Sequence, residues 1–365
     1  MPRFTILLLL CLVFAGNPVR LVADTAAAKA MIAKQLLESR TPGAVAGVYR
    51  GDQTLLETAV GLASLEPSVP INLGQHFRIG SITKAFLGVI VLQLVDEGKL
   101  SLESKLADYV PNFPAAEQIS IGDLGRMTAR IKDPLYRRSF KSLAQSNPRK
   151  VWTAQEVIAA TADTPRWPDD PSNKWNYSNT AAILLAQVVQ QVSEDSFTDQ
   201  LKTRILAPLQ LKHTGYELSA ELPEPHAKGY SLAPKGRYLS RGGTELRDVS
   251  DINPSLWNAA GAMHSTLDDL RIFARALGRG DLISRTSYSV QCEWQETPWD
   301  DHQYGFLLAR IGNLVGHDGD VAGFSSFIGY RAADDLTIVV LANLHGWSAG
   351  TMPANEIAQQ LADLF

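Results

Sequence analysis

Cysteine is nearly absent from this chain: Cys11 and Cys292 are the two in 365 residues. Cys11 lies inside an N-terminal apolar run, so a chain that sheds the run keeps Cys292 alone. That excludes an internal disulfide and a structural zinc site built on cysteines. A large excess of either charge is also missing. The 34 Lys and Arg residues against 38 Asp and Glu give a formal net charge of −4, which leaves no global attraction for a polyanion such as nucleic acid. Repeats and low-complexity linkers are absent, which excludes solenoids and beads-on-a-string arrangements.

What is there begins with "MPRFTILLLLCLVFAGNPVRLVADTAAAK", one arginine followed by an apolar run from Phe4 to Phe14 and then small residues. The pattern predicts a signal peptide within residues 1–23, cut after Ala15 or Ala23, hence an exported protein, periplasmic or secreted. The run is too short to span a bilayer, so no stable membrane anchor is expected after cleavage. Leu10 before Cys11 stands where a lipoprotein signal needs a small residue. One stretch, 126–150, is strongly basic with Asp133 its only acid. It reads as a solvated face, with an anionic surface as the alternative.

Both ends of the chain are strand-like. Residues 43–64 carry β-branched runs broken by "RGDQ" at 50–53, and residues 304–343 hold three apolar runs between Gly- and Asp-rich turns. Helical segments at 26–39 and 353–365 flank them. The middle has helical periodicity at 81–100, 153–163, 178–197 and 264–277, each opening near Ser, Thr or Asn. The expectation is an α+β fold: an antiparallel sheet of the five-stranded type from residues 24–80 and 300–365 flanked by terminal helices, with a large, mostly helical subdomain, 81–299, inserted between its halves. A single catalytic domain with a cleft between the two parts follows.

Three short motifs carry chemistry. In "RIGSITKAF" (78–86), Ser81 has a lysine three residues on, the only serine in the chain that does. Ser81 reads as an ordinary N-cap. Lys84 does not suit that reading, because Glu or Gln closes a capping box there and a cation opposes the helix dipole. Positions three apart share a helix face, so the amine reaches the hydroxyl. If burial lowers its pKa, the pair activates serine without histidine. Tyr177-Ser178-Asn179 is the only Tyr-x-Asn. It reads either as a phenol that shuttles a proton beside an amide that holds a carbonyl, or as a turn with a helix cap. His317-Asp318-Gly319 opens a strand-like run where glycine admits a close backbone approach, or it is a simple β-turn. "KHTGY" (212–216) repeats the His-x-Gly but reads as a helix terminator.

Taken in order, Ser81-x-x-Lys84, Tyr177-x-Asn179 and His317-x-Gly319 resemble the three signatures of the penicillin-recognising serine hydrolases, closest to class C β-lactamases and the D-alanyl-D-alanine carboxypeptidases and esterases similar to them. Segments 77–86, 94–111, 177–190, 205–216 and 261–277 are also similar to this branch. The resemblance spans roughly residues 30–345. It implies Ser81 as nucleophile, Lys84 as its hydrogen-bonded partner, Tyr177 as base and then acid, and Asn179 as holder of the substrate carbonyl. It further implies His317 and Gly319 on the strand lining the cleft, backbone N–H groups of Ser81 and Asp320 as oxyanion hole, and Arg310 on a substrate carboxylate. No metal or organic cofactor is implied. The stretch 119–133 departs from the family, lacking the His and Ser-Gly usual there, so the surroundings of the cleft are less legible than its centre. The expectation is an exported hydrolase of D-Ala-D-Ala-like peptides acting through an acyl-enzyme. An esterase or β-lactamase with the same site, or an idle penicillin-binding scaffold, are the rivals.

Overall fold

The computed structural model describes residues 18–161, 166–168 and 175–365, with side chains from residue 25. The proposed leader before Pro18 lies outside the described residues. Five long strands form the centre of an antiparallel sheet: β1 (Gly43–Arg50), β2 (Gln53–Ser64), β3 (Leu314–Val321), β4 (Phe324–Arg331) and β5 (Leu336–Ala342). Their order is β2-β1-β5-β4-β3, so the two ends of the chain meet where β1 pairs with β5. The runs read from the sequence at 43–64 and 304–343 supply these five, and four short strands bring the sheet to nine among the described residues, more than the five expected. Short strands extend both edges: Val69–Pro70 beside β2, and Ala309–Ile311, His302–Tyr304 and Gln295–Glu296 beyond β3.

β5 reads LTIVVLA without a polar alternation, and every residue of it is buried. That pattern needs both faces of the sheet covered. On one face, α1 (Pro18–Ser39) packs with the C-terminal helix Pro353–Leu364, and Arg331 of β4 donates to the Ala362 carbonyl at 2.8 Å. Neighbouring Tyr330 points to the other face, where its ring lies against Gly278 of the helix Leu267–Arg279. The sequence assigns that helix to the helical middle, yet it lies on the sheet. Its amphipathic pattern, with Leu270, Phe273, Ala274 and Leu277 buried and arginines outward, is what a sheet-covering helix requires.

The helix α2 (Ile82–Asp96) passes behind the same face and is apolar around nearly its whole circumference. Such a helix can only sit inside. Phe86 stacks on Phe273, with centroids 3.5 Å apart, and each fully buried Leu, Ile or Phe along it contributes about 1.5–3 kcal/mol. Against its first turn lies α3 (Asn179–Ser193), and the 3₁₀ turn Asn258–Ala260 touches both helices. Further out, Gly215–Tyr216 pairs with Met263–Ser265, so the segment read as a helix terminator continues into a short strand.

The basic stretch is largely balanced within the fold. Arg126 pairs with Glu293, Arg149 with Asp251 and Lys150 with Glu156, and Lys132 lies over the Trp167 ring. Two histidines are buried at the short sheet, His264 packing edge-on to His76, and the exposed His213 ring meets His76 from outside. Burial lowers the His264 pKa to about 3, reinforced by His76 and Arg78. An unfolded histidine titrates near ~6.5, so the native state refuses a proton that the unfolded chain accepts below that pH. Stability is therefore complete above about pH 6.5 and is lost as pH falls toward 3. Unfolding midpoints measured at neutral pH and at about pH 4.5 should show His264→Gln losing less stability than the unmodified protein, by on the order of 2 kcal/mol. Equal losses would exclude the buried imidazole as their source.

Candidate functional site

Ser81 is the residue before α2, and its backbone is already helical, φ −65° and ψ −9°. Its side chain makes no capping hydrogen bond. The cap reading therefore fails, because an N-cap needs extended backbone to turn its hydroxyl back onto the helix. Thr83 takes a local role instead, donating to the Gly80 carbonyl at 2.7 Å. The Ser81 hydroxyl is left for Lys84, whose Nζ donates to it at 3.0 Å, to Asn179 Oδ1 at 2.8 Å and to the Ala260 carbonyl at 2.7 Å. Three acceptors match the three protons of an ammonium group.

Lys84 is fully buried. Burial lowers its pKa to about 7, against the opposing pull of Asp133 and Asp318. As a neutral amine it keeps two donors and gains a lone pair, and the Ser81 hydroxyl is the one partner of the three able to donate to it. The Tyr177 ring lies 4.8 Å from Nζ, and its phenol is close enough to Ser81 for the serine hydroxyl to oppose the rise in its pKa. Burial pushes the Tyr177 pKa upward, so this phenol rests protonated. The expected base role of Tyr177 would need this phenol to lose its proton against that burial, whereas the Lys84 amine loses its own near pH 7.

Asn179 is the first residue of α3, and the cap of that helix is Ser178, which accepts from Ala181 N at 3.2 Å. The turn-and-cap reading thus belongs to Ser178 and leaves the Asn179 amide free for other work. Its Oδ1 faces Lys84 and its Nδ2 donates to Asp133 at 2.8 Å.

His317 and Gly319 stand on β3. His317 is buried; its Nδ1–H donates to the Asp318 carbonyl at 2.6 Å while Nε2 accepts from Tyr304 Oη at 3.1 Å. Both bonds fit a neutral ring, and burial holds its pKa below the ordinary histidine range despite Asp318. It supplies no cation. At Gly319 a Cβ would lie 2.1 Å from the Ile79 carbonyl, and at Gly80, with φ +50°, one would lie 2.8 Å from Asp320 N. Glycine at both points lets β3 press against the start of α2, with the Asp320 backbone nitrogen close to Gly80, the residue before Ser81.

These residues open into a cavity of about 540 Å³, lined by Ser81, Tyr177, Asn179, His317 and Asp320. Arg310 does not line it. That side chain is on the short strand beyond β3 with its guanidinium over Trp294, so the expected carboxylate contact is not made there. His213, the other His-x-Gly, sits with His76 outside the cavity. Sequence reasoning missed the walls: Trp257, Trp299, Tyr304 and Trp347, together with Arg241, whose guanidinium stacks 3.5 Å from the centre of the Trp347 ring. Single aromatics in loops carry no local signal. Asp133 was also missed, although being the one acid in a basic run sets it apart.

The Beta-lactamase family model matches residues 27–362. "Protein flp" of Staphylococcus aureus (strain MW2) is 26% identical over 326 residues, covering 86% of this chain and 62% of its own length. "Penicillin-binding protein 4*" of Bacillus subtilis (strain 168) is 25% identical over 306 residues, covering 80% and 66%. The chain spans about two thirds or less of the length of these curated relatives. A solved D-stereospecific amidohydrolase from Streptomyces sp. superposes with a TM-score of 0.78 at 26% identity, over 88% of this chain and 95% of that one. The D-amino acid amidase from Ochrobactrum anthropi SV3 complexed with D-phenylalanine, TM-score 0.82 at 23% identity over 93% and 98%, shares the fold.

The lowered lysine has a direct consequence. Labelling of Ser81 by a neutral fluorophosphonate should rise with pH through about 7, as Nζ loses its proton. Lys84→Met should slow labelling by about 10²–10⁴-fold. A rate flat from pH 5 to 9, or a variant that reacts normally, would exclude the amine as proton acceptor.

Proposed function

Because the chain belongs to the Beta-lactamase family of penicillin-recognising serine hydrolases, we propose that it is an exported serine hydrolase that transfers an acyl group to Ser81 and then to water. One observation carries this reading: a fully buried lysine, its pKa lowered to about 7, donating to a serine hydroxyl that caps nothing. In the proposed sequence Ser81 Oγ attacks the carbonyl carbon while its proton passes to Nζ. The carbonyl oxygen, now negative, is held by the N–H groups of Ser81 and Asp320 at the positive end of α2. Tyr177, resting as a phenol beside Ser81, gives its proton to the leaving group and recovers one from Lys84. Water repeats the attack on the ester and releases the acid. The spare proton of Asn179 Nδ2 orients the substrate carbonyl from the side.

The proposed substrates are amides or esters with a D-configured residue, the D-Ala-D-Ala carboxypeptidase being the form the motifs suggest. A D-amino acid amidase is the second reading, favoured by the charge of the cavity. Among its described lining residues Asp300, Asp318 and Asp320 are acidic and Arg241 is the one arginine or lysine. That balance suits a substrate with a free amino group more than one with a free carboxylate. Export rests on the apolar run at residues 4–14.

Incubation with a fluorescent penicillin and a fluorophosphonate, followed by intact mass, should give one adduct, abolished in Ser81→Ala. Absence of both adducts from the unmodified protein would leave the idle-scaffold reading. Turnover of a D-Ala-D-Ala peptide against a D-amino acid amide separates the two substrate readings. Tyr177→Phe should lower kcat on either by about 10²–10⁴-fold with a much smaller change in KM.

A further inference from the structure

The Tyr-x-Asn segment is gripped from behind by a carboxylate that none of the three motifs includes. Asp133 Oδ1 accepts from Thr180 N at 3.0 Å and from Ser178 Oγ at 3.2 Å, and Oδ2 accepts from Asn179 Nδ2 at 2.8 Å. Three consecutive residues at the start of α3 thus converge on one side chain. The Asn179 amide then forms a bridge, since its other end, Oδ1, accepts from Lys84 Nζ at 2.8 Å. An amide has two nearly isosteric ends, and nothing in its shape says which should face the lysine. A donor end turned to Nζ would set donor against donor.

We infer that Asp133 is a positioning residue for the proposed acyl transfer, fixing the Asn179 amide with its oxygen toward Lys84 and supplying the negative charge that sets how readily Lys84 holds a proton. The inference rests on the acyl-transfer reading. The carboxylate is the one end of a carboxylate–amide–amine chain that cannot be reversed, so it orients the rest. With Oδ1 on Lys84 and one Nδ2 proton on Asp133, the second Nδ2 proton is directed to the cavity that Asn179 lines.

The electrostatics agree with this geometry. Burial raises the Asp133 pKa, while the Thr180 N–H, the Lys84 charge and the Asn179 and Ser178 side chains oppose it. Around Lys84 the facing charged or titratable groups are Asp133, Asp318, His317 and Tyr177. His317 is neutral and Tyr177 a phenol, which leaves the two aspartates as the anions that favour the ammonium form. Tyr136 and Tyr177 are the other titratable groups facing Asp133; neighbouring Lys132 is turned onto Trp167. Removing the Asp133 charge therefore lowers the lysine pKa further and leaves the amide without its anchor. The two effects are separable, because the first moves the pH at which Ser81 becomes reactive and the second lowers the rate at every pH.

The test is the pH dependence of Ser81 labelling by a neutral fluorophosphonate, read by mass, in the unmodified protein, Asp133→Asn and Asp133→Glu. The unmodified protein should show an acid limb near pH 7. In Asp133→Asn the limb should move down by about one pH unit while the plateau rate falls about tenfold or more. Asp133→Glu keeps the charge, so its limb should stay near the unmodified position with the plateau alone reduced. A purely structural cap on α3 predicts slower labelling or a lower melting temperature with the limb unmoved in both variants, and that result overturns the inference. If Asp133→Asn does not fold, Asp133→Ser, which also removes the charge, takes its place: a limb displaced downward supports the role, and a limb at the unmodified position overturns it. No labelling of the unmodified protein overturns the acyl-transfer reading and this inference together, whereas normal labelling with an indifferent Asp133→Asn overturns this inference alone.

Discussion

Lys84 puts an amine on the first turn of a helix that is buried on nearly every side, and that placement constrains the rest of the cleft. An uncompensated ammonium in such surroundings costs several kcal/mol, so the group must either lose its proton or collect acceptors. Here both occur. Its pKa falls to about 7, and Ser81, Asn179 and the Ala260 carbonyl meet whatever charge remains. Each acceptor comes from a different stretch of chain. The 3₁₀ turn Asn258–Ala260 exposes its last carbonyl inward, α3 begins with an asparagine, and Ser81 is released from capping. Three separate local departures share one cause, the need to satisfy a buried amine.

A second constraint is set by how closely two backbones approach. β3 can lie against residues 79–80 because Gly319 and Gly80 have no Cβ, and Ser326 ties the contact by donating to the Ile79 carbonyl at 2.9 Å. The strand that carries His317 is therefore fixed to the segment that carries Ser81 without a side chain between them. An oxyanion pocket made of main-chain donors needs that kind of rigid fit, because its strength comes from donors already in place before charge develops. Asp320 contributes in another way. Its carboxylate accepts from Gly346 N at 2.7 Å and Trp347 N at 2.9 Å, which links the strand to the aromatic wall across the cavity.

What could be read in the sequence followed the strength of local signals. The Ser81–Lys84 spacing was informative because a lysine at that place contradicts ordinary capping, and a contradiction in local physics points beyond local structure. The strands from both ends were legible from period and turns, and their meeting in one sheet followed from there being too few strands at either end alone. The helix Leu267–Arg279 was legible as a helix, but its place on the sheet was not, since an amphipathic face does not name its partner. The place of Arg310 outside the cavity was hidden for a similar reason: sequence distance from His317 says nothing about which face of a neighbouring strand a side chain takes. The grip of Asp133 on Asn179 joins residues 46 positions apart, and only its isolation among cations marked it beforehand.

The aromatic walls explain why these charges behave as they do. Trp175, Tyr177, Trp299 and Tyr304 pack together, with ring centroids 5.1 to 6.2 Å apart, and Tyr304 meets His317 edge-on. Burial beside these rings favours the neutral form of four ionisable groups: both tyrosines are pushed up, and the histidine and the lysine are pushed down. The tyrosines and the histidine thus rest uncharged, the lysine is divided between its two forms near neutrality, and in the proposed reaction the proton taken from serine adds charge beside Asp133 and Asp318. In such a medium each fixed donor is worth more than in water. The same dryness limits what the three motifs alone can select, since a neutral His317 offers no anchor for an anionic substrate. In the proposed reaction, discrimination between substrates would fall to Arg241 on its Trp347 platform and to the carboxylates at the cavity wall, the part of the site that the motifs leave open.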